Sequence, residues 1–570
     1  MAAKQKMSPF PRTFYVANVM EIFERMAWYG FFAVSSLYMT SPIVQGGLGF
    51  DSIQRGILQG VIPFLLYLLP VITGALADRY GYRRMFLVAF AIMTPAYFIL
   101  GQLHSFWMFF GAFTLVAVGA ATFKPVVVGT VGRLTDDSNR GMGFGIFYTI
   151  VNVGGFIGPL VAGYVRAISW DLVFVMSAVW IAINFIPTLF LYKEPPGGSE
   201  EKKSIKEVLV GAQEVLGNGR FALIVVPILI LVMIAGGGWM RWAIAGYGIL
   251  AWIIVNLLWN YGVKNASESA PWFGQKAKIG NWPFVFYLLI LSGFWASFNQ
   301  IFITLPEYIR DFVDTGNLVA MSGIFGHGFV NFIASVNIEQ AAAEIQRLAG
   351  HYPSVIPGSE QAQALFYELV HYKVRVPIPE LVATFNGFAG TVDATTATAL
   401  ANEWADKYRQ VNPEYIVNLD ALSIVFFQIL VSFIIQRWKP FPVLIVGTIV
   451  AGTGIALNSI AVTGALTIMA IVIFAFGEMI ASPKSQEYVA KIAPKSKTAL
   501  YMGYYFVSVA LGNLFGGILS GWGYQVVAKD MNNPALMWII FGAVGFMTAI
   551  ALLFFNKFVV PKLELQEQTT

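Results

Sequence analysis

An apolar stretch near the start of the chain, residues 14–38, is interrupted by three charged residues, Glu21, Glu24 and Arg25. The stretch is long enough to cross a bilayer as a helix. At about 3.6 residues per turn the three charges share one helical face with Trp28, so they can point together into a protected interior. A charge exposed to lipid costs at least about 2.5 kcal/mol, so this face predicts a polar pathway. The alternative is an ion pair that only locks two helices together.

The composition is typical of a polytopic membrane protein whose surroundings are a lipid bilayer. Hydrophobic residues make up 57% of the 570 positions and charged residues only 12%. The net charge of +5 does not indicate nucleic-acid binding, because the basic residues lie in short loops between apolar runs. The chain has no cysteine, which excludes disulfides, thiolate nucleophiles and cysteine-ligated metals.

Hydropathy predicts fourteen membrane-spanning helices, arranged as six, an extra pair and six, in an all-α fold. The predicted spans lie near residues 14–41, 53–76, 84–103, 107–131, 141–165, 170–192, 221–239, 242–261, 282–310, 416–436, 440–462, 466–488, 497–524 and 533–558. The predicted domains are an N-terminal six-helix bundle (1–192), a linker with the extra pair (193–281), a C-terminal six-helix bundle (282–313 and 414–560) and an insert (314–413).

The insert is predicted to be a small, mainly helical domain, because residues 339–348 and 360–372 read as amphipathic helices. The alternative is a partly ordered loop. If folded, the insert is a candidate contact surface for an extracytoplasmic partner.

Basic residues mark alternate loops and predict the orientation. The loops on one side contain Arg79, Arg83, Arg84, Arg133, Arg140, Lys202, Lys203, Lys206, Lys276, Lys278, Arg437, Lys439, Lys491, Lys495 and Lys497. The positive-inside rule then places both termini in the cytoplasm and the insert outside. We expect a multi-pass protein of a bacterial inner membrane.

The loop after the second span resembles a known gate motif. Residues 74–84 read GALADRYGYRR, which is similar to the signature G-x-x-x-D-R-x-G-R-R of the major facilitator superfamily. The resemblance implies that Asp78, Arg79, Arg83 and Arg84 make cytoplasmic gate contacts that break and re-form as the two halves rock. Two sets of six helices fit such a transporter, with a substrate site between the halves near the midplane.

Further motifs resemble those of the proton-dependent oligopeptide transporters, a branch of that superfamily. Residues 21–30, EIFERMAWYG, resemble E-x-x-E-R-F-x-Y-Y-G, and residues 147–155, FYTIVNVGG, resemble F-Y-x-x-I-N-x-G-S. Lys124-Pro125 stands where the fourth helix of the family has K-P. Residues 294–296 resemble the start of the seventh-helix motif, and residues 478–488 resemble E-x-x-x-S-P-x-x-x-E-Y of the tenth helix. The chain is identified as a divergent member, and the resemblance covers nearly all of it except the insert.

The resemblance implies roles for residues in both halves. Glu21, Glu24 and Arg25 are implied in proton coupling, with the proton gradient as the energy source and no cofactor. The residues implied in binding a small, peptide-like substrate are Tyr29, Phe32, Tyr67, Lys124, Asn152, Trp295, Asn299, Asn418, Glu478 and Ser482.

Lys124 and Glu478 lie inside predicted spans of different halves, where an isolated charge demands a partner. A salt bridge between them is the expected solution, and a substrate amine or a proton would break it. The alternative is a static bridge.

Two positions depart from the family. Phe32 replaces an arginine that attracts the substrate carboxylate, and Asn299 replaces the acid of W-x-x-x-E-Q. The resemblance implies that the arginine and the acid form an ion pair in the family. The loss of both therefore leaves no unpaired charge behind. We therefore expect either a substrate other than ordinary di- and tripeptides, or a different mode of binding for the carboxyl end of such peptides.

The expected function is proton-coupled uptake of peptides or peptide-like solutes by alternating access. The alternatives are a facilitator or exporter of a non-peptide solute, such as an amino-acid conjugate or cell-wall fragment, and a non-transporting receptor that uses the insert. The sequence has neither a phosphate-binding loop nor H-E-x-x-H, and its four histidines lack metal-ligand spacing, so we expect no enzyme and no metal site. Asp420 is interpreted as a helix cap near the outer surface, or alternatively as a second proton site.

Overall fold

The computed structural model describes residues 9–136, 139–196, 205–263, 271–494 and 497–560. Within these ranges the chain is helical, and thirteen helices are long and apolar enough to cross a membrane. The first helix is 29 residues long but contains the three charges described above, and is not one of the thirteen. The predicted all-α membrane architecture is confirmed, whereas the domain boundaries remain predictions. The basic loop residues Lys202, Lys203 and Lys495 lie outside the described ranges.

The helices before the insert follow the predicted order. They are α1 (Arg12–Thr40), α2 (Ser52–Tyr80), α3 (Tyr82–Leu100), α4 (Phe106–Arg133), α5 (Arg140–Arg166), α6 (Trp170–Phe190), α7 (Ile205–Val215), α8 (Gly219–Gly236), α9 (Trp242–Gly262), α10 (Trp282–Ile303) and α11 (Leu305–Phe312). The short helix α7 lies in the linker and was not predicted.

The insert and the last five long helices complete the chain. The insert contains α12 (Gly316–Ser322), α13 (His327–Ile333), α14 (Ile338–His351), α15 (Glu360–Val370), α16 (Ile378–Phe388) and α17 (Ala394–Tyr408). The helices that follow are α18 (Pro413–Ile435), α19 (Pro440–Leu457), α20 (Gly464–Ile492), α21 (Thr498–Trp522) and α22 (Pro534–Phe558).

Two large apolar cores correspond to the two sets of six helices. The first is built by α1 to α6 and contains Phe31, Phe86 and Phe113, all fully buried. The second is built by α10, α11 and α18 to α22. Helix α8 packs outside both, where Leu229 and Val232 lie against a small cluster shared by α2 and α21. Helix α8 of the extra pair therefore contacts both halves from the periphery.

The insert has a hydrophobic core of its own, which includes the buried Leu365, Phe385 and Trp404. The two helices that the sequence predicts correspond to α14 and α15, and four further helices were not predicted. The insert leaves α11 and re-enters at α18, so both of its connections belong to the second half. It marks one end of the bundle, called the insert side below.

Glycines let helices of the first half, and of opposite halves, approach closely. A Cβ added at Gly154 of α5 would lie 2.7 Å from the Cβ of Arg25 on α1, and one at Gly158 would lie 2.7 Å from the carbonyl of Met26. At Gly517 of α21, an added Cβ would lie 2.4 Å from the carbonyl of Gly56 on α2. Only residues without a side chain permit these helix spacings.

Candidate functional site

A cavity of about 320 Å³ lies between the two halves and is lined by residues of both. Its lining includes eight of the ten residues predicted to bind substrate: Tyr29, Phe32, Tyr67, Asn152, Trp295, Asn299, Asn418 and Glu478. Lys124 and Ser482 are not among the residues that line it. The walls combine aromatic rings with amides and carboxyls, a composition suited to a small organic solute that has polar groups.

The three charges of α1 form one buried cluster on the face predicted from the helical period. The guanidinium Nε of Arg25 lies 3.1 Å from Glu21, and an Nη of Arg25 contacts Glu24. Glu24 is fully buried and the other two side chains are at most 4% exposed. Arg25 also lies over the ring of Tyr29, with its Cζ 5.6 Å from the ring centroid. Tyr29 thus separates the charge cluster from the cavity that it lines.

Lys124 directly precedes Pro125, which lies inside α4. Proline has no N–H, so it cannot bond the carbonyl of Ala121, four residues earlier in α4. The hydroxyl of Thr73 on α2 donates to that carbonyl at 2.7 Å and replaces the missing bond. Lys124 Nζ then lies 4.2 Å from the centroid of the Tyr67 ring, close enough for a cation–π contact.

The predicted salt bridge between Lys124 and Glu478 is absent in this conformation. Lys124 interacts electrostatically with the α1 cluster of Glu21, Glu24 and Arg25 in its own half. Glu478 Oε2 is buried and has no hydrogen-bond partner in the described part of the chain. Burial inside helices of opposite halves indicates a shared cavity, but it does not bring the two side chains within contact distance.

Asp420, rather than Lys124, is the charged neighbour of Glu478. Both carboxyls line the cavity and are close enough for their charges to interact. Asp420 is only 3% exposed, its side chain makes no capping bond, and Asn418 occupies the N-cap of its helical segment. Asp420 is therefore not a helix cap near the surface, and the motifs did not predict it as a cavity residue.

Ser482 lies on the same helix as Glu478 but is not among the residues that line the cavity. Its carbonyl accepts a hydrogen bond from Ser485 Oγ at 2.7 Å. Pro483, the next residue, lacks the N–H that would bond the carbonyl of Met479. The amide of Gln428 on α18 approaches that carbonyl at 3.4 Å. Ser482 and Pro483 thus alter the hydrogen bonding of the α20 backbone next to Glu478.

The predicted gate residues lie at the end opposite the insert, where the backbone N–H of Arg83 donates to the carboxylate of Glu194 in the linker at 3.0 Å. The carboxylate of Asp78 accepts a hydrogen bond from Arg133 at 2.7 Å. Arg83 donates to two carbonyls at the end of α6, at 2.6 and 3.1 Å. Arg79 and Arg84 are exposed, and Arg79 lies over the ring of Tyr80. These contacts fix the end of α2 to α4 and the start of α3 to α6.

Ion pairs on the insert side join the two halves. Arg55 of α2 contacts Glu307 of α11 at 2.8 Å, and both side chains are fully buried. Arg55 also bonds Ser520 of α21, and Arg310 of α11 donates to Thr40 of α1 at 3.1 Å. This network was not predicted from the sequence, although a charge at position 55 within an apolar span was a usable signal.

A second pair, Arg166 of α5 and Glu414 of α18, also connects the halves on this side. Two guanidinium nitrogens donate to the two carboxylate oxygens at 2.6 and 2.7 Å. Lys373 of the insert lies nearby and donates to the carbonyl of Ser335 and to Asn412 Oδ1. Burial and, to a smaller extent, Arg166 lower the pKa of Lys373 to about 7, while Glu414 opposes the shift.

A family model for the major facilitator superfamily matches residues 26–338 and 387–569, which is most of the chain. The chain belongs to this superfamily. This family consists of transporters, and its fold of two helical bundles agrees with the two cores and the cavity between them.

Peptide transporters are among the relatives that the chain resembles in sequence. It is 31% identical over 188 residues to a di-/tripeptide transporter of Lactococcus lactis subsp. lactis, covering 32% of this chain and 37% of that protein. It is 24% identical over 314 residues to the peptide transporter YePEPT of Yersinia enterocolitica, covering 52% and 59%, respectively. A transporter of Bacillus subtilis, YclF, is 28% identical over 233 residues, covering 40% and 46%. The matched segments thus span about two fifths to three fifths of these relatives.

Solved structures of the same fold extend over almost the whole chain. A POT family transporter in complex with 5-aminolevulinic acid aligns with a TM-score of 0.62 at 18% identity, covering 97% of both chains. The POT family transporter PepTSo aligns with a TM-score of 0.62 at 16% identity, covering 98% of this chain and 99% of that one. The predicted resemblance to the proton-dependent oligopeptide transporters is confirmed.

Proposed function

We propose that the protein is a secondary active transporter that takes up peptides or peptide-like solutes with protons by alternating access. The observation that carries this proposal is the central cavity, lined from both halves and closed on the insert side by ion pairs between the halves. In the proposed orientation the termini are cytoplasmic and the insert is outside, so the cavity here belongs to a state closed to the exterior.

The proposed proton site is the α1 cluster. Glu21 and Glu24 share one arginine, so the cluster contains one more acid than Arg25 can neutralise alone. Protonation of either carboxyl would release part of the Arg25 contact beside Tyr29, which lines the cavity. A change of protonation in the α1 cluster can therefore alter the cavity wall, because the Tyr29 ring contacts Arg25 and also lines the cavity.

The test is uptake of dialanine into proteoliposomes with an imposed inward proton gradient. We expect accumulation above equilibrium only with the gradient, and we expect Glu24→Gln to abolish accumulation while preserving exchange of labelled for unlabelled peptide. The side chain of Asp406 in the insert is 80% exposed, so Asp406→Asn serves as the control. Flux in an active preparation that does not respond to the gradient would refute proton coupling.

A second candidate function is a facilitator or exporter of a non-peptide solute. It is favoured by Phe32 and Asn299, which line the cavity where the resembling family has a charged pair. Phe32 stacks on Trp28 with ring centroids 5.4 Å apart, so this part of the wall is apolar. Accumulation of dialanine by the wild-type protein would reject this candidate.

A further inference from the structure

The cavity has an uneven charge distribution. Its lining contains three acids, Asp420, Glu478 and Glu414, and no lysine or arginine among the described residues. Glu414 is neutralised by Arg166 through two hydrogen bonds. Asp420 and Glu478 therefore remain as the two acids that no base of the lining balances.

Besides Arg166, two bases lie behind tyrosine rings of the opposite wall. Lys124 lies over Tyr67, and Arg25, which is engaged by Glu21 and Glu24, lies over Tyr29. Neither base forms an ion pair with Asp420 or Glu478 in this structure. The acidic end of the cavity is thus built entirely by α18 and α20 of the second half.

Each of these two lining carboxyls has one buried oxygen, Asp420 Oδ1 and Glu478 Oε2, that has no hydrogen-bond partner among the described residues. Asp420 is only 3% exposed, so a charge on this carboxyl requires a partner, and a cation bound in the cavity can supply one. A solute with one ammonium group would satisfy one acid and leave the other unpaired.

We infer that the cavity prefers peptide-like solutes with two amino groups at one end, one for Glu478 and one for Asp420. This inference rests on the proposed function and adds the substrate class. An amino-terminal lysine or ornithine residue has such a pair of cations, which matches two adjacent carboxyls on neighbouring helices. The aromatic wall formed by Phe32, Trp295 and Phe298 would contact the methylene chain between them.

The test compares two dipeptides that differ by a single amino group. Lysyl-alanine and norleucyl-alanine have the same backbone and nearly the same side-chain length, but only the first has the second cation. We expect the purified wild-type protein to bind lysyl-alanine at least about tenfold more tightly by calorimetry, because a hydrogen bond to a charged group is worth about 1.5–3 kcal/mol.

Variants assign this preference to Asp420. We expect Asp420→Asn to reduce the affinity ratio of the two peptides about tenfold and Glu478→Gln to weaken both peptides, while the control Asp406→Asn leaves both affinities unchanged. A wild-type ratio near one, or an unchanged ratio in Asp420→Asn, overturns the inference. The wild-type ratio needs no variant, so it decides the matter even if a variant misfolds.

The comparison of the two peptides distinguishes a wrong substrate class from a wrong transport function. If both peptides bind and are accumulated with equal efficiency, the transport function holds and the preference for two amino groups is wrong. If neither peptide binds, the proposed function and the inference that rests on it are both wrong.

Discussion

Arg166 and Glu414 join the two halves through a two-point ion pair, with N···O distances of 2.6 and 2.7 Å. Glu414 is fully buried and the side chain of Arg166 is 9% exposed. Parallel hydrogen bonds from one guanidinium to one carboxylate are among the stronger polar contacts in proteins. An opening of the cavity toward the insert side must break this pair together with that of Arg55 and Glu307.

We predict that Glu414→Gln shifts the protein toward a state that is open on the insert side. Removing one partner of a buried pair costs about 3–5 kcal/mol, and that cost falls on the closed state, where Arg166 loses its counter-charge. The chain has no cysteine, so a single Ala33→Cys in the cavity wall can be labelled selectively. We expect faster labelling by an impermeant maleimide from the insert side in Glu414→Gln. An unchanged rate, equal to that of Asp406→Asn, would contradict this prediction.

We predict that Gly154→Ala destabilises the protein and that Gly145→Ala on the same helix does not. The added Cβ at position 154 would lie 2.7 Å from the Cβ of Arg25, whereas no atom lies within 4 Å of one at position 145. Overpacking of this kind costs about 1–3 kcal/mol. Thermal unfolding in detergent measures the effect, and equal melting temperatures for the two variants would show that α1 and α5 can separate freely.

We predict that Thr73 and Pro125 are energetically coupled. Thr73→Val removes the donor to the carbonyl of Ala121 and leaves it unsatisfied in the helix bundle, at a cost of about 1–3 kcal/mol. Pro125→Ala restores a backbone N–H for the same carbonyl. Thr73→Val should therefore cost less in the Pro125→Ala background, which a double-mutant cycle of unfolding measures. Additive effects of the two substitutions on the free energy of unfolding would show that Thr73 does not compensate for the hydrogen bond that Pro125 cannot make.

We predict that Lys373 makes stability depend on pH between about 7 and 10.5, the ordinary pKa of lysine. In this window the unfolded chain binds a proton at Lys373 and the folded chain does not, so stability rises as the pH rises and the gain is lost as it falls toward 7. The slope is at most about 1.4 kcal/mol per pH unit.

Lys373→Met removes this titration, so the stability of the wild-type protein relative to the variant should increase from pH 7 to pH 9. Lys407, a lysine whose side chain is 55% exposed, provides the control Lys407→Met. A wild-type-to-variant difference that is independent of pH would show that Lys373 stays charged in the folded protein.

Local periodicity sufficed to predict the α1 cluster. Glu21, Glu24 and Arg25 are within one turn of each other, so their common face follows from helix geometry alone. The aromatic and amide residues of the cavity were predicted from motifs, each of which places a residue on a particular helix. These predictions required no knowledge of how the halves are tilted.

Contacts between the halves could not be predicted in the same way. The depth of Glu478 relative to Lys124 depends on the tilt of α20 and α4, which no local pattern encodes. Asp420 was misjudged because the helical span begins at Pro413, seven residues earlier, rather than near 416. At a rise of about 1.5 Å per residue, this earlier start places Asp420 about 10 Å inside the span.

The attachment of the insert has a practical consequence for following the motion of the halves. The backbone of Asp314, at the start of the insert, exchanges hydrogen bonds with Val462 and Gly464 of the second half, at 3.0 and 2.8 Å. Lys373 ties the insert to Asn412, just before α18. Both connections of the insert belong to the second half, so we expect the insert to follow the tilt of that half, and a spectroscopic label on the insert can report this motion.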